Sequence, residues 1–431
     1  MQHFAIGLAG MGNVGAGVFK HLTQNRALLR ERLGFELDVT KIALRNPGKD
    51  RGVAVPPEIV TTQWQDILDD SSIQIVVELM GQKEESLRFM LGAIQRGKIV
   101  VTGNKALLAE HGREIFEAAT RHKVPVFFEA AVAGGIPIIK SIREAFIGNH
   151  IRSIHGIING TSNYILTAWW RAGWASPRRL AEAQAAGYAE ADPTLDVNGW
   201  DAAHKAVILA SLAYGFWVST DKIFRRGHRA QSPPTTFPSP KSSATPSSSS
   251  ASSRPMPGAR SRCACIPRSS PRSTSSPAST ASSMRSPCMA ISSATTLFYG
   301  RGAGQDPTSS SVIADLAEAA AALQAPRSNY GFMPHGLYGT CTPIDDIVSE
   351  YYLRLTVEDR PGVIAQVAGI LGGLNIGISS IFQPEGDEGA AVPLILVLHK
   401  ADARPDAALE QIGALECVKK TPRMIRVENF A

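Results

Sequence analysis

Two charged side chains in the stretch DAAHKAVILA (201–210) have the spacing of an acid–base pair. Asp201 and Lys205 are four residues apart, which places them on one face of a helix. In isolation this spacing favours an ordinary ion pair on a helix surface. The loop just upstream, GYAEADPTLDVNG (187–199), adds an acidic cluster that could hold a cation near the same helix, formed by Glu190, Asp192 and Asp196. Because of this loop, we expect a polar site here.

A glycine pattern near the N-terminus could hold a nucleotide. The stretch HFAIGLAGMGNVGAGVFKHL (3–22) passes from an apolar strand through Gly10-x-Gly12-x-x-Gly15 into an amphipathic helical pattern. Such a turn lets a pyrophosphate approach backbone N–H groups at a helix N-terminus, where the helix dipole favours anions. A glycine turn that only packs a helix on a sheet is the alternative. The strand–turn–helix context favours a dinucleotide site, with contacts at Gly10, Met11, Gly12, Asn13, Val14 and Gly15.

The second strand, LDVTKIALR (37–45), ends at a basic residue. Sheets that prefer NAD carry Asp or Glu near this point, whereas an Arg suits the 2′-phosphate of NADP. Arg45 therefore predicts a preference for NADP(H), with NAD(H) still possible. Lys49 and Arg51 follow in the loop RNPGKDR, where a plain basic surface loop is an equally good interpretation.

Continuous apolar runs follow at the spacing of an α/β domain: IQIVVELM (73–80), KIVVTGN (98–104) and VPVFFEAAV (124–132). Parallel strands buried on both faces have this pattern. We predict an N-terminal Rossmann-type, doubly wound sheet over residues 1–130. Ligands of such sheets bind beyond the carboxyl ends of the strands, and Lys105 lies at one such end.

Composition limits the class of protein. The chain has 431 residues, of which 44% are hydrophobic and 19% charged, and no apolar run approaches the roughly 20 residues of a membrane span. Its beginning lacks the pattern of a signal peptide. Five cysteines suggest no disulfide framework. We expect a cytoplasmic protein without a membrane partner.

The segment 225–293 differs from everything around it. It holds ten Lys or Arg residues and no Asp or Glu, while the remaining 34 basic residues face all 38 acidic ones. The net charge of +6 therefore comes from this segment and does not indicate a nucleic-acid partner. Stretches such as TPSSSSASSRPMPGARSRC (245–263) contain almost no aliphatic side chains. We predict that the segment is irregular and poorly packed.

Four stretches resemble the homoserine dehydrogenase family: VVTGNKALLA (100–109), FEAAVAGGIPII (128–139), GIINGTSNYILT (156–167) and AQAAGYAEADPTLDVNGWDAAHKAVILA (183–210). The resemblance runs from residue 4 to about 224 and resumes near Leu297. It implies NAD(P)H-dependent reduction of L-aspartate 4-semialdehyde to L-homoserine, in threonine and methionine biosynthesis. It also implies an α+β catalytic and dimerisation domain over 131–310, a return helix and linker over 311–349, and a homo-oligomer, either dimer or tetramer.

The resemblance assigns roles to the charged residues. Lys205 becomes the proton donor and Lys105 an assisting group near the nicotinamide and the substrate; a lysine suits this work because a cation stabilises a developing alkoxide and can then donate a proton. Glu190 and Asp201 are assigned to the substrate, whose α-ammonium group carboxylates can hold. Further candidates are Gly187 and Asp196 for the substrate and Gly302, in GRGAG, for the cofactor.

The family also binds a monovalent cation, which implies a Na⁺ site at the turn FEAAVAGGIPI. The implied ligands are Glu129 and the carbonyl groups of Val132, Gly134 and Ile136, because oxygen ligands suit a hard cation. The ion would fix the junction between domains. The sequence by itself favours a plain strand-to-helix turn here.

Residues 350–431 have the strand and helix signals of a separate domain with βαββαβ order. The turn DRPGV and the following helix resemble an ACT domain, whose amino-acid site usually lies between two copies. Threonine is the implied effector, with candidate contacts at Asp359, Gly362 and Asn375. A purely oligomerising role is the alternative.

In the family, the interval 225–293 contains strands of the catalytic sheet, so the resemblance implies a disrupted catalytic domain. Acid-free sequence rich in Ser, Pro, Arg and Ala is what a GC-rich coding region yields when read out of frame. We therefore predict two compensating frameshifts; a basic disordered arm is the rival interpretation. A catalytically impaired protein that binds amino acids and nucleotides is the alternative function. A generic 2-hydroxy acid dehydrogenase is disfavoured, because its catalytic His with a nearby Arg and Asp is not evident.

Overall fold

The computed structural model describes residues 1–160, 198–225, 247–256, 260–269, 283–290, 296–325, 332, 334–335, 337, 340–343, 346–383, 391–401 and 404–427. Within these residues the strands form two sheets. The first belongs to the nucleotide-binding region, and the second combines the catalytic region with the C-terminal domain.

The first sheet is parallel, and its described strands have the order β3-β2-β1-β4-β5-β6. These strands are β1 His3–Ala9, β2 Glu36–Ala43, β3 Val60–Thr61, β4 Ile73–Glu78, β5 Ile99–Thr102 and β6 Val126–Phe127. The helices between them are α1 Asn13–Gln24, α2 Arg26–Leu33, α3 Gln65–Asp69, α4 Glu84–Gln95 and α5 Lys105–His122. The predicted doubly wound sheet is confirmed, and its strand order reverses beside β1, at the glycine turn.

The apolar residues of the central strands divide between two cores, one on each side of the sheet. On β4, Ile73 and Val76 pack with α4 and α5, whereas Ile75 and Val77 face α1. All four are almost fully buried, as the continuous apolar runs predict for parallel strands covered on both sides. This double cover makes the carboxyl edge of the sheet a rigid platform for the loops that follow it.

The chain then leaves the first sheet through a compact junction. Helix α6 (Ile138–Lys140) continues as a π-helical turn (Ser141–Ala145), and β7 (Ile151–Ile157) follows. Helix α7 (Trp200–Tyr214) is buried along nearly its whole length and packs against α5 and β7. A short strand, β8 (Phe224–Arg225), comes before the anomalous segment.

The prediction that the segment 225–293 is irregular is wrong for three stretches within it. These are the strands β9 (Ser247–Met256), β10 (Arg260–Ser269) and β11 (Ser283–Ala290), and with β7 and β12 (Thr296–Arg301) they form the order β12-β11-β7-β9-β10. The strands β9 and β10 pair along their full length. The rest of the segment, 226–246, 257–259, 270–282 and 291–293, lies outside the described residues.

Backbone chemistry explains this difference from the prediction. A β-ladder is built from main-chain N–H and C=O groups, which every residue except proline carries in full. Strand β7 offers its two edges to β9 and β11, so pairing does not depend on aliphatic side chains.

The C-terminal region has the predicted βαββαβ order. After a two-residue strand, β13 (Thr340–Cys341), its elements are β14 Ser349–Glu358, α9 Val363–Gly373, β15 Ile378–Phe382, β16 Ala391–Ala401, α10 Arg404–Gly413 and β17 Val418–Val427. The strands pair antiparallel in the order β17-β14-β16-β15. Alternate residues of β14, such as Leu353 and Leu355, are buried in a core of their own, as expected for a sheet with one covered face.

A long helix, α8 (Gln305–Gln324), returns to the first sheet. Its apolar face, including Val312 and Leu316, joins the core beneath α1, which confirms the predicted packing of this helix on the nucleotide domain. In the part of the chain that the structure describes, no helix has the length and apolarity needed to cross a bilayer.

Candidate functional site

The glycine turn has the stereochemistry of a pyrophosphate cradle. Gly10 has a φ of +101°, and a Cβ atom there would lie 2.4 Å from the carbonyl oxygen of Leu79. A Cβ on Gly15 would lie 2.2 Å from the carbonyl oxygen of Gly10. A Cβ on Gly12 would meet nothing within 4 Å. Two glycines are thus required by close packing, and Gly12 borders open space where a pyrophosphate can reach the N–H groups of α1.

The remaining residues of the turn are held from two sides. The carbonyl group of Asn13 accepts a hydrogen bond from Gln305 Nε2 at 2.9 Å, and that of Met11 accepts one from Arg51 Nε at 2.9 Å. Arg51 also donates to the carbonyl group of Asn46 at 2.7 Å. Arg51 is therefore committed to the backbone and closes its loop onto the glycine turn, a role that the sequence pattern did not identify.

Arg45 is exposed at the end of β2, where the sequence places it. With the Gln82 amide oriented to satisfy both of its neighbours, its oxygen accepts from Arg45 Nη1 at 2.8 Å. The guanidinium group has five N–H donors in a fixed fork. Arg45 therefore lies at the carboxyl edge of the sheet with donors left for an anion.

Two lysines from different elements converge on one carboxylate. Lys105 begins α5, and its Nζ lies 3.1 Å from Asp201 Oδ1. Lys205 lies one turn after Asp201 on α7, and its Nζ donates to Asp201 Oδ2 at 2.7 Å. Asp201 and Lys205 are almost fully buried, whereas the Lys105 side chain is 39% exposed. The structure therefore joins the predicted residues Lys105, Asp201 and Lys205 into one cluster.

The strand end before α7 completes this cluster. Asn159 Nδ2 donates to Asp201 Oδ2 at 2.8 Å, and Lys205 Nζ donates to the carbonyl group of Ile158 at 2.6 Å. Both residues lie in the stretch GIINGTSNYILT, where the sequence pattern predicted no role for either of them. Its signal was a polar Asn directly after a buried strand, which is where ligand-facing side chains of α/β sheets occur.

Electrostatics keep the central carboxylate charged. Burial by itself raises the pKa of Asp201, but Lys205, Lys105 and the Asn159 amide outweigh burial and hold this pKa well below its usual value. Burial also lowers the pKa of the neighbouring His204, so its imidazole is neutral at neutral pH. The cluster thus presents two ammonium groups around one carboxylate. This arrangement can hold a carbonyl oxygen and give it a proton.

The turn predicted to bind a cation is only partly suited to it. Both carboxylate oxygens of Glu129 accept backbone hydrogen bonds, from Ile139 N at 2.9 Å and Lys140 N at 2.7 Å. The Glu129 side chain therefore caps α6, and as a cation ligand it would have to keep these two hydrogen bonds. The carbonyl groups of Gly134 and Ile136 accept from Ser311 Oγ and Ile138 N, but a carbonyl oxygen has a second lone pair. The carbonyl groups of this turn, including that of Val132, fit a cation better than the carboxylate does.

A buried acidic pair lies beneath that turn. The Glu129 N–H donates to Asp315 Oδ2 at 2.8 Å, and both side chains are almost fully buried. Burial raises the pKa of Glu129 to about 7, and burial together with the charge of Glu129 raises the pKa of Asp315 well above its usual range. Nearby, Arg143 pairs with Glu318 of α8. These contacts tie the return helix to the end of the first sheet.

Other predicted residues are placed less directly. Gly302 is buried against the cation turn, since a Cβ on Gly134 would lie 2.5 Å from the Gly302 carbonyl carbon. The hydrogen bond to the glycine turn comes instead from Gln305, the first residue of α8, whose Nε2 donates to the Asn13 carbonyl group. The proposed substrate residues Gly187, Glu190 and Asp196 lie outside the described residues, so their roles stay predictions.

The candidate effector residues divide between the two ends of α9. Asp359 Oδ1 accepts from Gln383 Nε2 at 2.8 Å, and Gly362, with a φ of +88°, begins the helix. Asn375 has a φ of +58° and follows the helix end. The 11 residues of α9 make it roughly 16 Å long. Within one chain the structure brings Asp359 and Gly362 together and does not bring Asn375 to them.

Family models match nearly the whole chain. Residues 10–129 match the NAD-binding domain of homoserine dehydrogenase, 137–317 match the homoserine dehydrogenase catalytic domain, and 351–417 match the ACT domain. A homoserine dehydrogenase of Pseudomonas aeruginosa is 40% identical, with all of both chains covered. One of Synechocystis is 36% identical and covers 98% of this chain and 99% of that protein.

Solved structures agree in fold. A crystal structure of a homoserine dehydrogenase from Thiobacillus denitrificans has a TM-score of 0.89 and 34% identity, and the match covers 100% of this chain and 99% of that one. A hyperthermophilic archaeal homoserine dehydrogenase in complex with NADPH is 23% identical, with a TM-score of 0.61 over 76% of this chain and 99% of that chain, and shares the fold. The chain therefore belongs to the homoserine dehydrogenase family of oxidoreductases, with a nicotinamide-nucleotide domain and a C-terminal ACT domain.

Proposed function

We propose that this chain reduces L-aspartate 4-semialdehyde to L-homoserine with NADPH, in the cytoplasm. The observation that supports this most is the convergence of Lys105 and Lys205 on Asp201 at the carboxyl edge of the nucleotide-binding sheet. The nicotinamide cofactor, when bound, supplies the hydride. The charged cluster binds the substrate, stabilises the developing alkoxide and supplies the proton.

Lys205 is the proposed proton donor. Its ammonium group is held by Asp201 and by the Ile158 carbonyl, so it is fixed before the substrate arrives. As the aldehyde becomes an alkoxide, a fixed ammonium group stabilises the new negative charge and then transfers a proton to the oxygen. Lys105, more exposed than Lys205, enters from the cofactor side and adds a second positive charge.

Asp201 organises these two lysines and helps to hold the substrate. Because its pKa is held well below the usual value, it stays ionised throughout the neutral range and attracts the α-ammonium group. Glu190, Asp196 and the backbone of Gly187 are proposed as further substrate contacts.

Arg45 supports the proposed preference for NADP(H). It stands at the end of β2, and its guanidinium group retains donors for a 2′-phosphate. NAD(H) lacks that phosphate and would lose only this contact. The domain that would hold this cofactor is the NAD-binding domain matched over residues 10–129.

We also propose a structural Na⁺ ion at the turn 132–136, held by carbonyl groups while Glu129 positions the turn. Threonine is the proposed effector at the ACT domain. A homo-oligomer would allow Asn375 of one copy to approach Asp359 of another, which a single chain does not allow. Light scattering of the purified chain, with and without threonine, tests the assembly.

The decisive test of the activity is a spectroscopic assay of NADPH oxidation by the full chain with L-aspartate 4-semialdehyde. Turnover that depends on the aldehyde supports the proposal. Binding of NADPH without turnover would instead support the catalytically impaired alternative, which the full-length family match does not favour.

A further inference from the structure

A fully buried carboxylate beneath the site takes part in none of the steps above. Glu78 is the last residue of β4, and its side chain has no exposed surface. It forms no ion pair within the described part of the chain. A buried carboxylate is costly unless hydrogen bonds satisfy it, so its partners show what it organises.

Three donors satisfy Glu78, and they come from three different segments. Oε1 accepts from the backbone N–H of Met80 at 2.9 Å and from Ser86 Oγ at 2.7 Å. Oε2 accepts from Thr102 Oγ1 at 2.8 Å. Ser86 lies in the first turn of α4, where the helix dipole favours a negative charge.

The bond from Thr102 continues to a catalytic lysine. Thr102 ends β5 directly beside Glu78 in the parallel register. Its Oγ1 accepts from the backbone N–H of Asn104 at 3.0 Å, and Asn104 Oδ1 caps α5 by accepting from Leu107 N at 3.2 Å. Lys105 is the first residue of that helix. Two hydrogen bonds therefore separate the buried carboxylate from the turn that carries Lys105.

We propose, on the basis of the function proposed above, that Glu78 and Thr102 are positioning residues for Lys105. They hold the turn 102–104 against the end of β4, so that the Lys105 ammonium group stays at Asp201. With 39% of its side chain exposed, Lys105 is the least buried member of the cluster. It therefore needs this fixation more than Lys205, which is buried in α7.

The chain provides a matched pair of variants. Thr102→Val keeps the shape of the side chain and removes the hydroxyl group that links Glu78 to Asn104. Ser86→Ala also removes one hydrogen bond from Glu78, from a fully buried residue, but on the side that faces α4. Both variants leave the carboxylate with two donors, and Thr102→Val also removes the acceptor of the Asn104 N–H, which is the link under test.

The expected result is a difference between them. Thr102→Val should lower kcat/KM for the aldehyde about tenfold or more, because small misplacement of a catalytic group is costly, while Kd for NADPH stays within about twofold of the unmodified chain. Thr102→Ser should restore the rate, since it restores the hydroxyl group. Ser86→Ala should keep most of the rate.

A second readout does not depend on turnover. Reductive methylation with formaldehyde and a borane, followed by peptide mass spectrometry, reports the accessibility of Lys105 relative to Lys41, which pairs with Asp70 in the nucleotide domain. Lys105 should react faster in Thr102→Val than in the unmodified chain or in Ser86→Ala. Equal effects of Thr102→Val and Ser86→Ala on rate and labelling, or no effect of either, would overturn the proposal. An inactive unmodified chain with the predicted labelling difference would instead contradict the proposed function alone.

Discussion

At the scale of single residues, Lys205 carries the sharpest prediction. Lys205→Met keeps the apolar stem and leaves Asp201 paired with Lys105 and Asn159, so the fold should survive. Loss of a general acid typically costs about 10²- to 10⁴-fold in rate, and we expect a fall of kcat in this range. NADPH binding, measured by fluorescence, should not change. Lys222→Met, at an exposed lysine, is the control. Retention of most of kcat would show that another group donates the proton.

Cofactor choice is also decided by one side chain. Arg45→Asp replaces the proposed 2′-phosphate contact with a repulsive charge, and charge-assisted hydrogen bonds are worth about 1.5–3 kcal/mol. The KM for NADPH should rise at least tenfold, or about 1.4 kcal/mol, and that for NADH far less. Lys49→Asp, in the same loop, tests the alternative that this second basic residue contacts the 2′-phosphate. Equal changes for the two cofactors would contradict the assignment of Arg45.

At the scale of elements, the buried acidic pair links α8 to the end of the first sheet and predicts a pH dependence of stability. The pKa of Glu129 is raised to about 7 and that of Asp315 is raised well above its usual range. The folded chain thus holds these protons to higher pH than the unfolded chain does. The stability contributed by this pair is complete below the pKa values of the unfolded chain. It is lost as the pH rises through the higher pKa values of the folded chain.

Asp315→Asn should therefore stabilise the protein more at pH 8 than at pH 5. The amide oxygen can still accept from the Glu129 N–H, while the buried charge is gone. Because one pKa unit corresponds to about 1.4 kcal/mol, the gain in Tm should differ between the two pH values by about 5 °C. Glu31→Gln, at a side chain that is 78% exposed, is the control and should show no such difference. A pH-independent effect of Asp315→Asn would exclude the buried pair as its cause.

At the scale of the whole molecule, the anomalous segment is a weak part of the second sheet. Strands β9 and β10 are joined by a full ladder, but Pro255 and Pro267 each remove a backbone donor. Their sequences, SSSSASSRPM and RSRCACIPRS, offer few aliphatic side chains to offset the cost of ordering. Because few aliphatic residues occur in these two sequences, we expect this part of the sheet to open locally at low cost.

Limited digestion with trypsin tests this. The first cuts should fall at arginines of β10, namely Arg260, Arg262 and Arg268, before any cut at Arg88 in α4. Fragments should be identified by mass spectrometry at low protease concentration. Protection of these arginines for as long as Arg88 would show a stable native sheet and would contradict the frameshift prediction. Sequencing the coding DNA across this interval tests its origin directly.

Local patterns in the sequence were sufficient for the nucleotide-binding sheet and for the ACT domain. Continuous apolar runs specify strands covered on both faces, and the order of strand and helix signals specifies the βαββαβ unit, because both follow from the periodicity of neighbouring residues. The glycine turn is only partly local: Gly15 is required by its contact with Gly10 in the same turn, whereas Gly10 is required by Leu79, which follows β4.

Only the tertiary structure decided how distant residues combine. Asp201 and Lys205 are one helical turn apart, but their meeting with Lys105 and Asn159 joins segments some 40 to 100 residues away, and no local pattern reports that distance. The structure likewise shows that Glu129 uses its carboxylate to cap α6, that Arg51 binds backbone carbonyls, and that Asn375 lies at the far end of α9. In the segment 225–293, side-chain composition predicted irregularity, whereas backbone pairing with β7 formed strands. Hydrogen-bond groups of the main chain are the same in every sequence, so their partners are fixed by the fold.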